Sequence, residues 1–159
     1  MFFRKMQDDN IYAPVTGQFI KLQDVNDTTF SSGLMGFGFG IEPDDSCVLS
    51  PYDGEVTMIF PTGHAIGLRR KDGLETLIHI GIETVNLNGR GFEICCSLHK
   101  KVKKGELLVR FDKELFEKEQ LTATVIVVFT NSSSYDFEIP QESRYCYAKD
   151  VIGNAKKQS

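Results

Sequence analysis

Along the chain, short runs of apolar residues, some continuous and some alternating with polar ones, recur between turn residues: Phe19 to Leu22, Val56 to Phe60, Ala65 to Leu68, Leu74 to Ile80, Leu107 to Phe111 and Thr124 to Phe129. Period-two patterning at this spacing predicts an all-β domain. Only the segment 113–120, from Lys113 to Gln120, reads as a helix, with Asp112 as its N-cap and charge on most faces, so it is expected to be short and peripheral. Many short antiparallel strands with so little helix must dispose of their edges, which predicts a single antiparallel β-sandwich or barrel-sandwich. The expected layout is an N-terminal tail over 1–10, the β-sandwich domain over 11–152 and a C-terminal tail over 153–159.

Turn chemistry punctuates the strands. Ala13-Pro14-Val15-Thr16-Gly17-Gln18-Phe19 echoes Ser50-Pro51-Tyr52-Asp53-Gly54-Glu55-Val56, a Pro-x-x-Gly turn feeding a strand both times. Both a duplicated strand unit and two turns of common type fit this echo. Val102-Lys103-Lys104-Gly105 reads as a solvated turn. Gly33, Gly36, Gly38 and Gly40, with Phe37 and Phe39 between them, lack the Lys-Ser/Thr and the long helix of a phosphate-binding loop and are expected to form a tight strand-turn.

A chain of 159 residues holds one ordinary core, and 41% hydrophobic with 25% charged residues excludes a disordered chain, a collagen and a coiled coil. The net charge of -4 argues against nucleic acid, which demands clustered Lys and Arg. Apolar stretches such as Val125 to Phe129 fall far short of the ~20 residues that span a bilayer. After Met1 to Met6 the polar Gln7-Asp8-Asp9-Asn10 leaves no apolar core for a secretion signal. Cys47, Cys95, Cys96 and Cys146 contain no C-x-x-C pair, which points to a cytoplasmic protein with thiols packed as small core hydrophobes.

Chemistry is sought first at histidine, whose ring is substantially neutral at cellular pH and offers a nucleophilic nitrogen. His99 stands among exposed polar residues. His79 lies inside the apolar strand Thr76 to Gly81, on one face with Glu75, Leu77 and Gly81, where it is either a core histidine bonded to a carbonyl or a reactive group beside a glycine that admits a partner's backbone. His64 follows the turn Phe60-Pro61-Thr62-Gly63 and reads either as a loop residue or as a cross-strand partner of His79, with Thr62 placed to fix its tautomer.

The run Gly73-Leu74-Glu75-Thr76-Leu77-Ile78-His79-Ile80-Gly81-Ile82-Glu83-Thr84-Val85 resembles the active-site signature of the glucose-type enzyme IIA domains of the bacterial sugar phosphotransferase system. Ala13 to Gly17, Phe60 to Ala65 and Val102 to Gly105 resemble further blocks of that family in the same order. The resemblance implies a β-sandwich in which His79 accepts a phosphoryl group from phosphohistidine on HPr and passes it to a cysteine in the IIB domain of a sugar permease. It implies catalytic roles for His79, His64 and Thr62, a docking face of Phe30, Leu34, Met35, Phe60 and Val85 rimmed by Glu83, and no required cofactor. It allows a zinc ion bridging His64 and His79 with a partner's carboxylate, and further regulatory targets. Three positions depart from the pattern: Thr76 stands where an aliphatic is usual, Phe37 replaces the Asp of Gly-Asp-Gly, and Glu83 replaces an Asp.

Three other classes compete. A zinc hydrolase needs three protein ligands, and no third is evident beside the two histidines. A regulatory binding module of the same fold, without phosphate flow, would not need both histidines. A biotinyl or lipoyl carrier would need a lysine hairpin that Val102 to Leu108 does not supply.

Overall fold

The structure, a computed structural model, describes residues 6–159. The first strands are β1 (Asn10–Tyr12), β2 (Gly17–Lys21), β3 (Phe37–Pro43), β4 (Cys47–Leu49) and β5 (Gly54–Ile59). Next come β6 (Ala65–Arg70), β7 (Glu75–Ile80), β8 (Phe92–Ile94), β9 (Lys101–Val102) and β10 (Leu107–Phe111). The chain finishes with β11 (Val125–Phe129), β12 (Tyr135–Glu138), β13 (Arg144–Cys146) and β14 (Val151–Lys157). Two short helices interrupt them, α1 (Thr28–Ser31) and α2 (Lys113–Lys118).

Antiparallel pairing assembles an eight-stranded sheet in the order β13-β2-β3-β11-β7-β6-β5-β9 and two three-stranded sheets, β1-β14-β12 and β4-β10-β8. One face of the large sheet, carrying Phe39, Ile41, Ile66, Leu68, Ile78, Ile80, Val125, Val127 and Phe129, packs with residues of both small sheets into a single core. The result is the all-β sandwich that the strand spacing predicts. β11 is buried on both faces, which is why it reads as an unbroken apolar run. Its Ile126 and Val128 point away from the main core and are covered by Leu22, Val25 and Phe30, from the segment containing α1. That covering segment becomes one wall of the candidate site.

Helix α2 forms where expected: the Asp112 carboxylate accepts from the Leu115 N-H at 3.1 Å. It is less peripheral than its charges suggest, because Phe116 is fully buried against Phe92 and Phe111. Helix α1 was not expected; its single turn is capped by Asp27, which accepts from Thr29 N-H. The Gly-rich segment makes a turn and then enters β3, where a Cβ on Gly38 would collide with the Val127 carbonyl of the neighbouring strand.

Three expectations are corrected. The segment 153–159, read as a tail, contributes most of β14, which pairs with both β1 and β12. Its polar residues hide the strand because only Ile152 and Ala155 of Val151–Lys157 face the core. Of the expected N-terminal tail, residues 1–5 lie outside the described residues, whereas Asn10 already belongs to β1. The thiols are not all core: Cys146 is buried, but Cys47, Cys95 and Cys96 are half-buried. No helix among the described residues is long and apolar enough to cross a membrane.

Two departures find internal reasons. Thr76 is buried and accepts a hydrogen bond from the Tyr52 hydroxyl at 2.6 Å, so an aliphatic residue there would leave the buried phenol only its longer, 3.3 Å contact with the Leu74 carbonyl. Phe37 opens β3 with its ring against Phe137, centroids 4.8 Å apart, and is otherwise largely exposed.

Candidate functional site

Strands β6 and β7 pair so that Ala65 lies opposite His79, and the Ile80 N-H donates to the His64 carbonyl at 2.7 Å. That register carries His64, the residue just before β6, alongside His79. The two imidazoles meet edge to face, with centroids 4.9 Å apart and planes at 81°. Phe30 lies against the His79 ring at 5.0 Å, and Phe60 stands edge-on to His64 at 5.4 Å, so the pair is seated between aromatic walls.

Each ring has one nitrogen committed. His79 Nδ1 is 2.8 Å from the Gly81 carbonyl oxygen. A carbonyl only accepts, so Nδ1 carries the proton and Nε2 keeps its lone pair. His64 Nδ1 is 2.5 Å from Thr62 Oγ1. A hydroxyl can donate to Nδ1, leaving Nε2-H as a donor, or accept from Nδ1-H. His79 thus offers a lone pair on Nε2, with the His64 ring beside it.

Burial, and then the neighbouring His64, push the His79 pKa down to about 4, against smaller opposing effects from the Gly81 carbonyl and Asp27. Burial also lowers that of His64, which is 5% exposed. Both rings are therefore neutral at neutral pH, the form in which an imidazole nitrogen is a nucleophile. Gly81 does not open the site to a partner, as its place beside His79 suggested. It is buried at φ 80, and a Cβ there would strike Thr84 and approach the Thr122 carbonyl at 3.0 Å. Its glycine character serves the turn that presents the carbonyl to His79.

Comparison with known proteins decides the family. The family model described as phosphoenolpyruvate-dependent sugar phosphotransferase system, EIIA 1, matches residues 9–135. The chain belongs to this family. A protein named PTS system glucose-specific EIIA component from Staphylococcus epidermidis RP62A is 43% identical over 122 residues, 77% of this chain and 74% of that protein. Its namesake from Staphylococcus aureus COL is 44% identical over 126 residues, 79% and 76% of the two. The solved structure of glucose permease IIA from Mycoplasma capricolum matches with a TM-score of 0.82 at 34% identity, covering 96% of this chain and 97% of that one.

In this enzyme IIA domain the expected docking residues separate into two groups. Leu34 and Val85 are exposed, at 92% and 46%. Met35 and Phe60 are half-buried, and Glu83 is exposed with a left-handed backbone, φ 60. Phe30 does not belong to an open face: it is 4% exposed, with its ring spent on His79 and the cover over β11. Two residues went unassigned. Leu77, half-buried on the His79 side of β7, and the 47%-exposed Met58, opposite Gly67 and so two strands from Leu77, extend the apolar rim. For Leu77 the signal was present in the strand alternation. For Met58 it was masked by an irregularity in β5 between Val56 and Met58.

Neither nearby arginine serves the histidines. Arg69 pairs with Glu55 at 3.0 Å. Arg70 is 1% exposed, grips Asp72 through Nε and Nη2 at 2.7 and 2.8 Å, donates to the Ala155 carbonyl, and lies between the rings of Tyr52 and Tyr135. Among the described residues no group of three His, Cys, Asp or Glu side chains is placed to hold a metal. His99 is exposed, as its context suggested.

Proposed function

We propose that this domain is a phosphocarrier: His79 Nε2 takes a phosphoryl group from phosphohistidine on HPr and surrenders it to a cysteine thiolate in the IIB domain of a sugar permease. The observation that carries this is a single hollow holding both rings, in which the Gly81 carbonyl on His79 Nδ1 reserves Nε2 as a lone pair and His64 stands beside it with Nδ1 on the Thr62 hydroxyl. In acceptance, the Nε2 lone pair forms the new N–P bond as the N–P bond in HPr breaks, with its electron pair returning to the HPr imidazole. In the onward step, with the Thr62 hydroxyl donating to its Nδ1, His64 donates from Nε2-H to a phosphoryl oxygen and stabilises the charge spread over the transferring group. The apolar rim of Leu34, Phe60, Leu77 and Val85 excludes water when a partner docks, which protects the phosphohistidine from hydrolysis. With Arg69 and Arg70 engaged elsewhere, no salt bridge from either of them traps the phosphoryl group, and it stays transferable.

The glucose specificity named for the relatives supports a glucose-type permease as recipient, in an aqueous cytoplasmic setting. Zinc has no part in the transfer. Two imidazole nitrogens are short of a zinc shell, so a bound zinc would belong to a complex in which a regulatory partner adds a carboxylate. The test is incubation with phosphoenolpyruvate, enzyme I and HPr: a mass gain of about 80 Da that is acid-labile and maps to His79 supports the reading, since one phosphoryl group has been added. Stable binding to HPr without mass gain supports the regulatory-module alternative instead.

A further inference from the structure

The carbonyl that sets the His79 tautomer belongs to a strained turn. Just past Gly81, Glu83 adopts left-handed backbone at φ 60, a conformation costly for a residue with a Cβ and kept only where surrounding bonds enforce it. Thr84 lies inside that turn with no exposed surface. Its hydroxyl donates to the Ile80 carbonyl at 2.5 Å, and its methyl is the group that a Cβ on Gly81 would strike. Outer ties hold the same turn from β11's side: Gly81 N-H donates to Thr124 O at 2.8 Å, Ile82 N-H donates to Thr122 O at 2.9 Å, and the Thr124 hydroxyl donates to Glu42 at 2.7 Å.

Building on the phosphocarrier reading, we infer that Thr84 is a positioning residue for phosphoryl acceptance: by clamping the Ile80-Gly81 peptides it aims the Gly81 carbonyl at His79 Nδ1 and so reserves Nε2 for phosphorus. Thr84 touches no reacting atom. Both halves of its side chain are used, the hydroxyl on Ile80 and the methyl against Gly81, so valine removes the clamp while keeping the shape and serine keeps the clamp. Without it the turn relaxes, the carbonyl swings off Nδ1, and the proton redistributes between the ring nitrogens.

The experiment reads the His79 tautomer by long-range proton-nitrogen NMR on the unphosphorylated full chain at pH 7.5, together with the rate of phosphoryl uptake from phospho-HPr. Wild type and Thr84→Ser are expected to show Nδ1-H and equal rates, whereas folded Thr84→Val shows mixed tautomers and uptake slowed about tenfold, corresponding to about 1.4 kcal/mol in the barrier. If Thr84→Val does not fold, Thr84→Ala is judged by the same criteria. A folded variant that keeps Nδ1-H overturns the inference whatever its rate, as does a shifted tautomer at an unchanged rate. Because the tautomer is read without phosphate, a wild-type chain that never takes phosphate from HPr would defeat the carrier reading separately.

Discussion

His64 stands edge-on to His79 at 4.9 Å, close enough for one phosphoryl group to touch both rings, and their committed nitrogens make them unequal. His79→Gln is expected to abolish labelling by phospho-HPr. His64→Gln retains labelling, and the onward step to the IIB domain slows by about a hundredfold, the usual scale for losing one donor to a developing oxyanion. Rapid-quench transfer assays separate the two steps, and equal loss of acceptance in both variants would contradict this division of labour.

Thr62 is expected to act through His64 alone. Thr62→Ala removes the hydroxyl 2.5 Å from Nδ1 and frees the ring to place its proton on either nitrogen, costing about 1 kcal/mol, or roughly fivefold to tenfold in transfer. Thr62→Ser keeps the hydroxyl and is expected to restore the rate. A loss shared by serine and alanine would point to packing of the methyl group as the cause.

The pH response follows from burial. With His79 held down to about 4 in the folded protein, phosphoryl acceptance is expected to be flat from pH 8 to about 5.5 and to fall through about 4 as the lone pair is protonated. An unfolded chain protonates the same ring near its ordinary value of ~6.5. Between these values the unfolded state binds more protons, so the stability of the native fold is complete above about 6.5 and declines as pH falls toward about 4. Urea titrations at pH 7.5 and 5 of wild type and His79→Gln check this, the variant showing the smaller decline. Acceptance that titrates near 6.5 would show a ring exposed to solvent.

Arg70 is expected to matter for stability and not for chemistry. Arg70→Met leaves Asp72 without its bidentate partner and strips a donor from the Ala155 carbonyl, for an expected cost of about 3 to 5 kcal/mol by denaturant unfolding. Where enough folded protein remains, phosphoryl acceptance by His79 is expected at the wild-type rate. A variant with unchanged stability would remove the buried arginine from the account of the fold.

Much of this was legible in one dimension, for identifiable reasons. Alternation around His79 was readable because β7 is buried on its core face and half-open on the other, and the Asp112 cap announced α2. Family blocks carried His64 and Thr62. What escaped depended on the third dimension. α1 is a single turn, too short to impose a period, and β14 has too few inward residues to advertise itself. The family resemblance placed Phe30 on the docking face, against a core reading from the residue alone, and β11, buried on both faces and in need of cover, shows why it packs inward. Thr76 looked anomalous until Tyr52 was found bonded to it from across the core.

The place of β14 bears on how the molecule is born. It is the middle member of its sheet yet follows both of its neighbours in the chain, and the Arg70 guanidinium waits for Ala155 to arrive. Until that strand clears the ribosome, β1 and β12 have nothing to pair with and part of the interior stays wet. Nascent chains halted before residue 151 would therefore offer unpaired strand edges to chaperones and proteases.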